Sequence, residues 1–114
     1  IINPILLKPL GNYKSEIFVN GKSYGKMHAR DYYRKFVLSI GLEESKNALD
    51  KLLKVNDIVI LEGAGSPAEI NLQRYDIANM RMAEYCKSPV ILVTDIDKGG
   101  SFASIVGTLA LLDK

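Results

Sequence analysis

The chain carries one cysteine, Cys86, so no disulfide framework is open to it, and a reducing, cytoplasmic setting is expected. It carries one histidine, His28, with no cysteine or carboxylate cluster at ligand spacing. A helix-start or packing role is therefore expected for His28, and a small buried thiol for Cys86. No apolar run approaches the roughly 20 residues that cross a bilayer. No basic region precedes an apolar core at the N-terminus, so no signal peptide is read. The net charge of +2 is too small to imply nucleic-acid binding by bulk electrostatics. The phosphate-binding pattern G-x-x-x-x-G-K-[ST] is missing as well. Either a P-loop is not used, or it lies upstream of Ile1.

What is present is ordinary for a globular α/β chain. Of its 114 residues, 47% are hydrophobic and 25% charged, which fits one domain at most, or a piece of one. A piece is the expectation. The chain opens on Ile1 rather than Met, and it stops at Asp113-Lys114 just after an apolar helical pattern. Ile5-Leu6-Leu7 suits a buried strand closed by Pro9 and Gly11. "SEIFV" followed by Asn20-Gly21 is a hairpin signal with a short return arm at Lys22 to Tyr24. Ala29, Tyr32, Tyr33, Phe36, Val37 and Ile40 then mark one face of a helix, with Gly41 as its stop. A second helix is expected over Glu43 to Lys54, with Ala48, Leu49, Leu52 and Leu53 inward.

Ile58 to Leu61 and Val90 to Val93 are apolar on both faces, as in the central strands of a covered parallel sheet. Between them Asp76 caps an expected helix from Ile77 to Cys86, broken by Ser88-Pro89. After them Gly99-Gly100-Ser101 opens a helix whose apolar face is Phe102, Ile105, Val106, Leu109 and Leu112. The order predicts a doubly wound, mostly parallel α/β sheet.

Ligands of such sheets bind beyond the carboxyl ends of the strands. Glu62-Gly63-Ala64-Gly65-Ser66 and Thr94-Asp95-Ile96-Asp97-Lys98-Gly99-Gly100-Ser101 follow the two expected strands. A carboxylate at a strand tip can offer oxygen to Mg²⁺, and the glycines beside it admit a phosphate or substrate close to the backbone. Glu62 can equally be a loop glutamate that caps a neighbouring helix. Asp95 and Asp97 can bind metal, orient an amine or cap the Ser101 helix. Gly99, Gly100 and Ser101 offer free N–H groups to an anion, and Lys98 can neutralise one.

"NPILLKP", "VNGKSYG", "ARDYY", "LEGAGSPAEINL", "DIANMRMAE" and "VILVTDIDKGGSFASIVGTLALL" together resemble the middle of the N-terminal domain of the cobyric acid synthase family. The resemblance implies a P-loop NTPase fold of the dethiobiotin-synthetase type. It also implies an ATP-dependent amidoligase domain, with a P-loop segment upstream and a glutaminase domain of the same chain downstream. The implied activity is ATP- and glutamine-dependent amidation of four corrin-ring carboxylates (b, d, e and g) of adenosylcobyrinic acid a,c-diamide in cobalamin biosynthesis. A piece without those flanks is expected to be inactive. By the same comparison Glu62 is a Mg²⁺ ligand of catalytic importance, and Gly63, Ala64 and Gly65 lie beside the phosphates of ATP. Asp95, Asp97, Lys98, Gly99, Gly100 and Ser101 lie toward the corrinoid carboxylate, with Asp97 also a catalytic candidate. In that superfamily this contact sometimes crosses a homodimer interface. Lys8 and Asn71 are weaker candidates. Cys86 does not match the glutaminase nucleophile. Two other readings stay open: another ATP-dependent carboxylate ligase of this superfamily, or a partition-type regulatory ATPase, whose D-x-x-G switch Asp97 to Gly100 fits loosely.

Overall fold

The computed structural model of the chain describes residues 2–112. The chain divides into two compact units, Ile1–Leu61 and Glu62–Lys114. In the first unit, β1 (Ile5–Gly11), β2 (Lys14–Val19) and β3 (Lys22–His28) make an antiparallel sheet in the order β1-β2-β3. The expected hairpin is there. Asn20 and Gly21 both take positive φ, 51° and 81°, and bring Val19 opposite Lys22. The return arm is longer than its polar sequence suggests, because it continues to His28 along β2. β1 is an edge strand, and Leu6 and Leu7 stay exposed, against the expectation of burial.

β2 delivers Ile17, which is fully buried. The β2–β3 register slips beside it, so that Ile17 faces Gly25 and Phe18 faces Ser23. Tyr24 is the extra residue of this bulge, and its ring lies 5.0 Å from that of Phe36.

The helical half of the unit begins with α1 (Ala29–Asp31), where His28 Nδ1 accepts from the Arg30 N–H at 3.3 Å, the helix-start role expected of it. The chain continues as a π-helical stretch, Tyr32–Gly41, and then as α2 (Leu42–Val55). Gly41 therefore does not stop the helix. It keeps ordinary right-handed angles (φ −59°, ψ −48°), is buried, and its carbonyl accepts from Ser45 Oγ at 2.8 Å. The residues after it favour helix, so nothing there demands a left-handed turn. Phe36, Val37, Ala48 and Leu49 supply the core. Ile40 and Leu53, expected to face inward, are exposed. The i→i+5 bonding of Tyr32–Gly41 departs from the 3.6-residue period used to assign the stripe. Asn20 Nδ2 donates to Glu44 Oε2 at 2.6 Å and ties the hairpin turn to α2.

Tyr32 stacks on Phe36 with ring centroids 5.5 Å apart. Burial, followed by the neighbouring Tyr33, pushes its phenol up to about 12. A phenol raised above its unfolded value of about 10 stabilises the fold in its neutral form. That contribution is complete below pH ~10 and is lost as pH rises through ~12. An ultraviolet phenolate titration should show one late ionisation near pH ~12 that disappears in Tyr32→Phe. Its persistence in the variant would reject the assignment. The Lys35–Asp31 pair at 2.9 Å lowers the Asp31 carboxyl by hydrogen bonding and charge, but both groups are exposed and the pair adds little to stability.

The second unit holds a 3-10 turn (Gln73–Tyr75), α3 (Met80–Cys86) and α4 (Ser101–Leu111). Gln73 Nε2 donates to the Leu111 carbonyl at 2.8 Å, joining the turn to the end of α4. Met82 is buried. Cys86 is half-buried rather than fully buried as expected, and its thiol lies 3.1 Å from the Met82 carbonyl. Left-handed Lys87 (φ 53°) ends α3 just ahead of Ser88-Pro89.

The two expected parallel strands do not form a ladder among the described residues. Ile58 to Leu61 and Val90 to Val93 have no regular secondary structure, and Ile60 and Ile91 are 89% and 87% exposed. The apolar face of α4 is open too, with Phe102 84% exposed. A run that is apolar on both faces encodes a demand for cover, but a strand also needs the N–H and C=O groups of a neighbour. The sheet that is present is antiparallel and built from earlier residues. The fold shown is a small α/β assembly. No described helix is long and apolar enough to cross a membrane.

Candidate functional site

Glu62 opens the second unit and is exposed, with no hydrogen bond or ion pair to another described residue. The loop behind it is shaped from the other side. Asp76 does act as a cap, but in a way the sequence does not reveal. Its Oδ1 accepts from the Ala78 and Asn79 N–H groups at 2.9 and 2.8 Å, and its Oδ2 from Arg81 at 3.2 Å. α3 consequently starts at Met80 rather than Ile77, and Asn79 holds the N-cap position without making a side-chain cap bond.

The freed amide of Asn79 goes to the glycine loop. Its Nδ2 donates to the Ala64 carbonyl at 3.0 Å. Its Oδ1 then faces Gly63, where a Cβ would overlap it outright. Gly63 is thus a glycine because a side-chain amide occupies the space beside its Cα. Gly65 (φ +71°) has open space around it and provides the left-handed bend. Ser66 Oγ accepts from the Ala68 N–H at 3.2 Å and closes the next turn.

In the second loop the Asp97 N–H donates to Asp95 Oδ1 at 2.8 Å, so Asp95 orders its own turn. Gly99 and Gly100 both take φ +74°, and Gly100 occupies the N-cap position of α4 without a side-chain cap. Neither aspartate caps the Ser101 helix, which removes one of the three roles open to them. Asp97 and Lys98 are exposed beside those uncapped amides, and Ser101 is half-buried.

No group of three or more His, Cys, Asp or Glu among the described residues can hold a metal ion. Glu62, Asp95 and Asp97 are not assembled into one. Mg²⁺ in nucleotide sites takes one or two carboxylates plus phosphate and water oxygens, so a single free carboxylate fits that demand. Asn71 is exposed and lines an open cavity of about 660 Å³ with Ile70, Gln73, Arg74 and Arg81. Lys8 lies on β1 of the other unit, opposite Glu16.

Asn79 is the residue that sequence reasoning missed. A signal was present: "DIAN" offers two side chains able to cap one helix start, and only one is needed.

No protein-family profile and no solved structure matches the chain. Curated sequences do. A probable cobyric acid synthase of Thermococcus onnurineus is 56% identical over 114 residues, 98% of this chain and 23% of the relative. The cobyric acid synthase of Clostridium novyi is 56% identical over 111 residues, 97% of this chain and 22% of its own. That of Nostoc sp. is 48% identical over 112 residues, 98% and 22% respectively. The chain therefore spans less than a quarter of the length of the curated relatives it matches.

Proposed function

We propose, from the likeness to cobyric acid synthases that runs over nearly the whole of this chain, that it forms one wall of an ATP–Mg²⁺ site in an enzyme that amidates corrinoid carboxylates. The parent is a glutamine-dependent ligase of cobalamin biosynthesis acting on adenosylcobyrinic acid a,c-diamide in the cytoplasm. The sheet that completes the wall is of the dethiobiotin-synthetase, P-loop NTPase type. Within the second unit it covers the bare apolar segment 90–93, whose exposed side chains require cover.

The observation that carries the reading is Glu62, a carboxylate without a partner among the described residues, at the head of a glycine loop held from behind. Magnesium bound there would neutralise charge on the transferring phosphoryl group. Glu62 supplies an oxygen ligand, and Gly63, Ala64 and Gly65 keep the backbone bare where phosphate oxygens approach. Gly100 and Ser101, at an uncapped helix start, offer N–H groups to a substrate carboxylate, with Lys98 adding positive charge. Asp97, whose N–H is held in the Asp95 turn, is the carboxylate read as orienting the incoming ammonia or the carboxylate being activated. The chemistry is coherent, because a carboxylate resists attack by ammonia until one oxygen becomes a phosphate leaving group.

Asp97→Asn in the full-length protein tests the second loop. Amidation of the corrinoid, measured with ATP and glutamine saturating, should show a KM for the corrinoid raised about tenfold or more, with the KM for ATP within about twofold. Equal loss in both would remove Asp97 from the substrate side.

A further inference from the structure

We propose that Asn79 is a positioning residue that sets the conformation of the Glu62–Gly65 loop through a two-sided grip on Gly63 and Ala64. Its role in catalysis rests on the ATP–Mg²⁺ reading of that loop. A carbonyl oxygen can only accept, so the Asn79 nitrogen must face Ala64, where it donates at 3.0 Å. The amide oxygen is thereby turned to the Cα of Gly63, in the volume any larger residue would fill. One planar group thus holds the carbonyl of one residue and packs against the next.

The grip is available only because Asp76 takes the capping work. Its carboxylate accepts from three N–H groups at the start of α3, which leaves the Asn79 side chain without a cap bond although it occupies the N-cap position. A residue whose own helix does not need its side chain, and which instead reaches across 15 positions to the glycine loop, is placed for that loop. The loop has little else to define it: Gly65 has open space around it, and Glu62 has no partner among the described residues.

The test uses the full-length protein and two independent readouts. Proteolytic nicking within residues 62–66 under limiting protease should be about five- to tenfold faster in Asn79→Ala, the scale of one net hydrogen bond. Asn79→Asp should match or exceed this, because it replaces the donor with an oxygen facing a carbonyl. Gly63→Ala alone should disturb the loop, whereas Gly63→Ala combined with Asn79→Ala should lose no more than Asn79→Ala alone, since the obstruction is gone. Unchanged nicking with additive effects would overturn the grip. Altered nicking with an unchanged KM for ATP and unchanged Mg²⁺ dependence would overturn the positioning role and count against the nucleotide reading of the loop. A raised KM for ATP that tracks the nicking rate, with intact global unfolding, supports both.

Discussion

Glu62→Gln in the full-length protein should lower ATP- and Mg²⁺-dependent amidation on the order of 10²- to 10³-fold, the scale for removing one group that stabilises transition-state charge. The substitution keeps the volume of the side chain and removes one negative charge. Because Glu62 is exposed and has no partner among the described residues, the unfolding midpoint should move by no more than about 0.5 kcal/mol equivalent. A neutral amide oxygen is a weaker ligand for a hard cation than a carboxylate, so raising Mg²⁺ should recover part of the rate. Activity and Mg²⁺ dependence measured together separate the possibilities. Near-normal turnover at limiting Mg²⁺ would sink the metal-ligand assignment, and loss of folding would return Glu62 to a structural role.

The largest stability effect belongs to the first unit. Phe36→Ala should destabilise it by about 3–5 kcal/mol in urea unfolding, the range for emptying a buried aromatic position. Phe36 is only 1% exposed and holds Tyr24 and Tyr32 at ring distances of 5.0 and 5.5 Å. Against a typical total of about 5–15 kcal/mol, that loss leaves little margin. Leu38→Ala, two positions away and exposed, should stay within about 0.5 kcal/mol. In Phe36→Ala the late Tyr32 ionisation should also move down toward the ordinary phenol range, since the burial that raises it is reduced. A loss below about 1 kcal/mol would place the core elsewhere.

How much of this was legible beforehand depends on the range of the interaction involved. Asn20-Gly21 was readable as a hairpin because positive φ is a property of two adjacent residues. The stripe Tyr32, Tyr33, Phe36 and Val37 was readable as helical because neighbouring turns share a face. Ile40 departs from that stripe because Tyr32–Gly41 bonds i→i+5, and Leu53 because burial depends on where another element stops. Glu62 and the two glycine loops stood out from composition alone, since a carboxylate and clustered glycines after apolar runs are unusual wherever they occur. The Asn79 contact was not visible. It joins residues 15 positions apart: "DIAN" shows that one of two capping side chains is spare, but not which one or where it reaches.

The sequence by itself determined the turns, the helical stretches, the bare loops and the likeness to cobyric acid synthases, because each is written in adjacent residues or in order along the chain. Only the tertiary structure decided that β1, β2 and β3 pair antiparallel, that Gly41 lets the helix run on, and that an asparagine rather than open space lies against Gly63. Those outcomes turn on which distant group arrives to satisfy a hydrogen bond or fill a volume. Proximity of that kind is a property of the folded chain and not of any stretch of it.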